Sequence, residues 1–451
     1  MEVDASATAP RRQLTLLDST CIIVGIIIGA GFFETPPQIA AGAGGPVVLL
    51  GLWAAGGAMA LVGALCYAEL AGAYPRDAGE YVFLTRAYGR RVGFLYAWSW
   101  FWVVRPGNLG AMAYVFARYA NELAPLPLGD CAFAPYAMAS LLVLTVVNVL
   151  GVRAGKTVQN VLTGAKVAGL LAVFAVALVG PAAPARPAAA PAPAGGLYLA
   201  VILIMWAYGG WNDMSYVAAE VRDPGRNIRR ALVLGTAAVL LIYVTGNLAF
   251  IRALGFEGFS GSGAVAADVM RPKFGERGAR FISALVCVSC LGALNGMILT
   301  GARIYYAVGA EHSAYGWLGR WDARRDSPAR SLWLQGGATL ALVAGLGLSR
   351  DAFQRLVVFT ETIFWGFLLL VAASLFVLRR RDPDVHRPYR VAGYPVTPAL
   401  FCLSCAFLLY ASVAYALRNR AAEAWWAVAL LGAGVLASLY DPPVPERKEH
   451  P

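Results

Sequence analysis

Apolar runs of about 20 residues, each long enough to cross roughly 30 Å of hydrocarbon as a helix, recur along the whole chain between short polar or basic segments. Twelve such runs are read at 15–41, 46–73, 93–121, 135–152, 156–180, 196–220, 231–254, 280–309, 331–348, 352–378, 394–416 and 422–440. The composition agrees: 451 residues, 59% hydrophobic and only 14% charged, with mean hydropathy +0.61. The expected fold class is an all-α polytopic membrane protein with twelve transmembrane helices.

Charge sets the expected orientation. With the N-terminus inside, about two thirds of the 37 lysines and arginines fall in segments on the inner side, as the positive-inside rule requires. The formal charge of +11 is thus a topology signal, and no nucleic-acid partner is expected. "MEVDASATAPRRQLTLLD" is read as a cytoplasmic tail rather than a cleaved leader, because the apolar run after it is too long and no small-residue cleavage site follows. The lipid bilayer is the first partner, and the expected location is the plasma (inner) membrane with both termini cytoplasmic.

Glycine and proline interrupt the pattern at two places. Span one contains "GIIIGAGFFETPP" and span six contains "MWAYGGWNDMSY", so a glycine cluster lies near the middle of each otherwise apolar run. "GPAAPARPAAAPAPAGG" is a Pro/Ala-rich linker that separates five spans from the next five. Halves with an odd number of spans sit upside down relative to each other, and matched interruptions in such halves point to a transporter's binding site. The expected layout is a cytoplasmic tail at 1–14, a first repeat at 15–180, the external linker at 181–195 and a second repeat at 196–378. A cytoplasmic basic loop at 379–393, spans eleven and twelve at 394–440 and a cytoplasmic tail at 441–451 complete it.

An unwound stretch frees backbone N–H and C=O groups, and each one left unsatisfied in hydrocarbon costs several kcal/mol. Helix N-termini offer N–H donors to an anion, and freed carbonyls receive an ammonium. Two facing breaks therefore suit a zwitterion, the α-carboxylate and α-amine of an amino acid. The competing reading of Gly25 and Gly29 is a helix-packing G-x-x-x-G. Gly31, Pro36, Pro37 and the Gly209–Gly210 pair weigh against it.

"VGIIIGAGFFETPP", "GALCYAELAGAYPRDAGEYVFLTRAYG", "WSWFWVVRPGN", "WAYGGWNDMSYVAAEVRDPGRNIRRAL" and "CLGALNGMILTGARIYYAVG" resemble, in order and interval, the L-type amino acid transporter branch of the amino acid–polyamine–organocation (APC) superfamily, over about 15–416. The resemblance implies a 5+5 inverted repeat of the LeuT/APC type with helices one and six broken. It implies that the N–H groups of Gly29, Ala30 and Gly31 hold the substrate carboxylate and that the carbonyls of Ile27, Trp206 and Gly209 take the ammonium. Trp206 stands at the gating aromatic, Asn212 at a polar position near the substrate, and Asn295 is expected to face the same pocket. The family usually has Ser where Ala30 stands and Phe where Trp206 stands, which suggests a tighter pocket.

Lys166, in "LTGAKVAGLL" of span five, is the candidate coupling residue. A lysine in mid-membrane is a functional hypothesis by default, with snorkelling to the inner surface as the alternative. The resemblance implies that its ammonium replaces the sodium ion of related carriers, with protons as candidate coupled ions. Arg105 is read as pairing internally or lying near the interface. Glu34 is read as a guard of the outer mouth, a contact for a cationic side chain, or an exposed vestibule carboxylate. Glu361 is a candidate for the external pathway. Glu220 and Arg222 are candidates for a pair across the inner gate, in a segment that otherwise reads as a basic stretch against headgroups.

No cofactor or metal site is expected. The seven cysteines do not look like a disulfide framework or a metal site; "CVSC" and "CLSC" lie inside spans, separated by 111 residues, and read as thiols packing against a neighbouring helix. His312, His386 and His450 form no cluster. The leading function is a sodium-independent secondary carrier for neutral L-amino acids, working by exchange or proton-coupled symport; an amino acid sensor that binds without turnover is the alternative. No P-loop is present, and the spans lack the clustered His, Asp or Cys of an intramembrane enzyme. A channel would show polar rings instead. Cys131 lies off the place where the family's animal members link a glycoprotein, so a heavy subunit is not expected.

Overall fold

The computed structural model describes residues 10–179, 196–346, 352–418 and 422–439. The Pro/Ala linker at 181–195, most of the N-terminal tail and the C-terminal tail lie outside the described residues. Those described are overwhelmingly helical, with α1 Leu16–Ile27, α2 Gly31–Glu34, α3 Pro36–Ala43, α4 Pro46–Ala73, α5 Glu80–Tyr88, α6 Arg90–Ser99, α7 Arg105–Leu123, α8 Phe133–Val149 and α9 Val152–Val179 in the first part. The second part holds α10 Gly196–Ala207, α11 Pro224–Ser260, α12 Val265–Glu311, α13 Ala329–Leu346, α14 Ala352–Arg381, α15 Val396–Arg418 and α16 Ala422–Leu439.

Seven helical stretches among the described residues are long and apolar enough to cross a membrane, and Phe133–Val149 and Trp425–Leu439 are shorter apolar helices. Local chemistry sets the helix ends and kinks. Span one is α1, α2 and α3, broken at residues 28–30. Span six is α10, a turn at residues 208–210 and a 3-10 segment Trp211–Glu220. In span three a π turn, Trp100–Val104, joins α6 to α7, and the Arg105 N–H reaches back five residues to the Trp100 carbonyl. Pro106 accounts for it: its ring excludes the carbonyl four residues back and its nitrogen has no hydrogen to donate, so the turn widens. Gly255 has φ +69° where span seven was expected to stop, and α11 bends there into an appended turn. The sequence did not foretell α5, which folds within the loop between spans two and three.

The packing has an internal symmetry. Span two (α4) lies on span seven (α11), span three (α7) on span eight (α12), and span four (α8) on span nine (α13). Adding five to each span number maps further pairs onto one another: α9 on α12 matches α14 on α7, α8 on α12 matches α13 on α7, and the 3-10 segment on α4 matches α1 on α11. Spans one and eight are central, with 78% and 83% of their apolar stretches buried, against 33% for α15 at the periphery.

The end of the bundle at residues 13–18 is stitched shut. Gln13 N–H and Leu14 N–H donate to the Glu220 carbonyl at 2.8 and 2.9 Å, and Arg222 N–H donates to the Leu14 carbonyl at 2.9 Å. Thr15 and Asp18 form a capping box that starts α1, and Lys156 Nζ of α9 holds Asp18 at 3.1 Å. Glu69 of α4 takes both arms of Arg379 at 2.7 and 2.6 Å and the Val391 N–H at 2.6 Å, so part of the basic loop is bound to protein.

Arg86 pairs with Asp382 just beyond α14, and the guanidinium holds that carboxyl below the usual carboxylate range. A depressed folded pKa contributes stability above the unfolded value of about 3.9 and loses it as pH falls through the folded value. Asp382→Asn is therefore expected to lower thermal stability in detergent at pH 7 by less than about 1 kcal/mol, Arg86 being nearly half exposed, and the difference is expected to shrink as pH falls through the depressed folded value. Melting curves at pH 7 and at successively lower pH check this.

Candidate functional site between the two broken helices

Breaking α1 at Ile27 frees carbonyls near its end, and side chains from three other helices take those of Gly25, Ile27 and Ile28. Lys166, fully buried on α9, donates all three ammonium protons: to the carbonyls of Gly25 at 2.8 Å, Ile28 at 2.7 Å and Ser289 on α12 at 2.9 Å. Ser289 Oγ adds a second bond to the Ile28 carbonyl at 2.9 Å. Tyr243 Oη of α11 donates to the Ile27 carbonyl at 2.9 Å and to Ala207, at the end of α10, at 3.1 Å. Lys166 thus ties spans one, five and eight together, and it does not snorkel.

The second break is equally tight. Gly210 has φ +107°, and a methyl there would sit 2.5 Å from Ile26 Cγ2, so only glycine lets span six turn this close to span one. A Cβ on Gly31 would meet the Trp206 ring at 3.0 Å and Ala207 Cα at 3.1 Å. Between the two breaks lies one cavity, lined by Ile27 and Gly31, by Trp206, Gly209, Gly210, Asn212 and Asp213, by Trp100, Arg105, Asn108 and Met112 of span three, by Met297, and by Glu361, Phe364 and Trp365 of span ten.

Several expected site residues are placed differently from expectation. Gly29 N–H donates to the Ile27 carbonyl at 2.8 Å and Ala30 N–H to Met112 Sδ at 3.3 Å, so of the three expected carboxylate donors only Gly31 belongs to the cavity wall. The Ile27 and Trp206 carbonyls are already engaged, the latter by Gly209 N–H at 3.0 Å. Asn295 does not line the cavity: its amide donates to Gly155 at 3.0 Å and Gln159 at 2.9 Å and accepts from Asn148 at 2.9 Å, locking span eight to spans four and five. Asn212 does line it, and its amide donates to Glu80 Oε1 at 2.9 Å.

The expected Glu220–Arg222 pair does not form. Glu220 is fully buried and turns to Arg303 of α12, which grips it at 2.7 and 3.2 Å, while Arg222 is exposed. A two-armed guanidinium supplies the compensation that a buried carboxylate needs. Glu34 pairs with Arg118 of α7, so its carboxylate is not a free one. Arg105 takes the internal option, with Nη1 donating to Asp213 at 2.8 Å and Thr300 Oγ1 adding a bond to the same carboxylate at 2.6 Å.

Sequence reading missed Asp213 and Glu80. Glu80, carried on α5, is buried beneath Asn212 and receives Tyr67 and Tyr96 at 2.5 Å each and Tyr216 at 2.9 Å. Its partners come from spans two, three and six, so no local spacing announced them. Among the described residues the cysteines are free thiols, and no group of three or more His, Cys, Asp or Glu is placed to hold a metal ion.

Comparison with known proteins fits this arrangement. A family model for amino acid permeases matches residues 14–436. The b(0,+)-type amino acid transporter 1 of Mus musculus is 30% identical over 424 residues, covering 91% of this chain and 84% of its own. The Asc-type amino acid transporter 1 of Mus musculus is 31% identical over 422 residues (89% and 76%), and the large neutral amino acids transporter small subunit 2 of the same organism is 30% identical over 433 residues (91% and 79%). With broken helices one and six meeting over one cavity, the chain belongs to the amino acid permeases, in the L-type branch of the APC superfamily, and is a membrane transporter rather than an enzyme.

Proposed function

We propose that the protein is a sodium-independent secondary carrier of neutral L-amino acids that works by alternating access in the plasma (inner) membrane, through twelve spans with both termini cytoplasmic. The observation that carries this reading is the pair of facing helix breaks over one cavity with predominantly apolar and aromatic walls. The substrate carboxylate approaches Gly31 at the start of α2 and displaces Met112 from the Ala30 N–H, a thioether being a weak acceptor. The ammonium approaches the unwound carbonyls around Ile27, Trp206 and Gly209, competing there with Tyr243 Oη and the N–H groups of Gly29 and Gly209. Trp206 closes over the substrate, and the Glu220–Arg303 and Glu80–Asn212 contacts belong to the inner gate that must open for release.

Lys166 takes the place of a bound cation. Its three donors hold the broken end of α1 against α12, which makes it the candidate for coupling transport to protons. We propose no glycoprotein heavy subunit, because Cys131 lies off the place where the family's animal members link one. Uptake of labelled leucine into proteoliposomes preloaded with leucine tests the reading. Uptake that persists when sodium is replaced by choline supports it, and a sodium requirement refutes it; adding a pH gradient to empty vesicles separates symport from exchange. Saturable binding with no flux in either direction would favour a sensor.

A further inference from the structure

Three charged side chains line the cavity among the described residues: Arg105, Asp213 and Glu361. The first two cancel at 2.8 Å, and Asp213 also has Thr300. Glu361 has no such arrangement. It sits on α14, 6% exposed, and among the described residues its carboxylate receives one hydrogen bond, from Trp365 Nε1 to Oε2 at 2.5 Å. No ion pair among the described residues includes it. Arg105 Nε faces Gly301 on α12, where a methyl would meet it at 2.7 Å, and Lys166 is held by three carbonyls outside the cavity lining.

A buried carboxylate is costly unless a cation or several donors compensate it. Here the open side of the carboxylate is the substrate cavity itself, and the neighbouring walls are the rings of Trp100, Phe364 and Trp365. Aromatic faces beside a carboxylate attract a cation by two routes, charge pairing and cation–π contact. A neutral amino acid, whose backbone charges cancel, leaves the Glu361 charge uncompensated; a positive side chain cancels it.

We propose that Glu361 is a specificity residue whose carboxylate receives the ammonium or guanidinium of a substrate side chain, so that amino acids with a cationic side chain are carried along with neutral ones. This rests on the carrier reading above and deepens it at the side-chain end of the cavity.

The test is competition in leucine-loaded proteoliposomes, with lysine, ornithine and arginine as competitors, for the protein, Glu361→Gln and Glu361→Asp. Glu361→Gln keeps the shape and removes the charge. It is expected to weaken inhibition by the cationic amino acids at least about 30-fold while leucine counterflow changes less than about 3-fold, and Glu361→Asp is expected to restore part of the loss. The proposal is overturned if the cationic amino acids fail to compete with leucine in the unmodified protein, or if Glu361→Gln weakens both classes equally. It is also overturned if that variant abolishes pH-driven leucine uptake with the lysine-to-leucine preference unchanged, which would make Glu361 a proton site. Absence of all counterflow would instead refute the carrier reading. Lysine binding followed by tryptophan fluorescence, in the unmodified protein and Glu361→Gln, would then still decide the role of Glu361.

Discussion

Replacing Lys166 with alanine is expected to lower leucine counterflow at least about 100-fold while the protein still inserts and folds. The ammonium is the shared partner of three carbonyls: Gly25 in the last turn of α1, Ile28 in the break that follows, and Ser289 on α12. Removing it takes a donor from three buried carbonyls, of which that of Ile28 keeps Ser289 Oγ, and each acceptor left unsatisfied costs about 1–3 kcal/mol at the joint on which the proposed alternation of α1 against α9 and α12 depends. Lys166→Met keeps most of the side-chain volume without the donors, and is expected to be equally inactive. Gly292 supports the same account, because a methyl there would lie 2.9 Å from Nζ and the helix surface is cut back to admit the lysine. Counterflow within twofold of the unmodified protein in either variant would exclude a coupling role.

The second large effect is expected at Gly31. Its substitution by leucine puts a side chain against the Trp206 ring and the Ala207 backbone, 3.0 and 3.1 Å from the new Cβ, on the wall where the carboxylate is proposed to bind. Leucine affinity is expected to fall at least about 100-fold, equivalent to about 2.8 kcal/mol. Gly31→Ala adds only the Cβ that presses on Trp206 and Ala207, and is expected to weaken binding and lower the melting temperature less than leucine does. Binding unchanged in Gly31→Leu would place the substrate elsewhere.

Much of this organisation was legible in the sequence, and the physical reasons differ by element. Apolar spans were legible because hydrocarbon demands continuous apolar runs: seven described helical stretches are long and apolar enough to cross, and the helix ends at Ala73, Glu311 and Leu439 fall within a few residues of the expected ones. The two breaks were legible because Gly25, Gly29, Gly31, Gly209 and Gly210 concentrate conformational freedom where a helix can least use it. Lys166 stood out because a mid-membrane charge needs partners, although nothing in the sequence said that they would be the carbonyls of Gly25, Ile28 and Ser289.

What stayed hidden were pairings between distant segments. Glu220 and Arg222 are near in sequence and of opposite charge, yet Glu220 is buried against α12, where Arg303 offers a better partner 83 residues away. Asn295 looked like a pocket residue and turned out to hold spans four, five and eight together. The contacts of Glu80 with three tyrosines and Asn212 depend on α5 folding under the second break, which composition alone does not announce.

The central claim is that the two breaks together hold an amino acid by both ends of its zwitterion. The most direct measurement is inhibition of leucine counterflow by leucine, leucine methyl ester and N-acetyl-leucine, which keep the side chain and remove one backbone charge at a time. The account predicts strong inhibition by leucine and at least about 100-fold weaker inhibition by each derivative, since each loses charge-assisted hydrogen bonds to one break. Inhibition by either derivative as strong as that by leucine itself would contradict it.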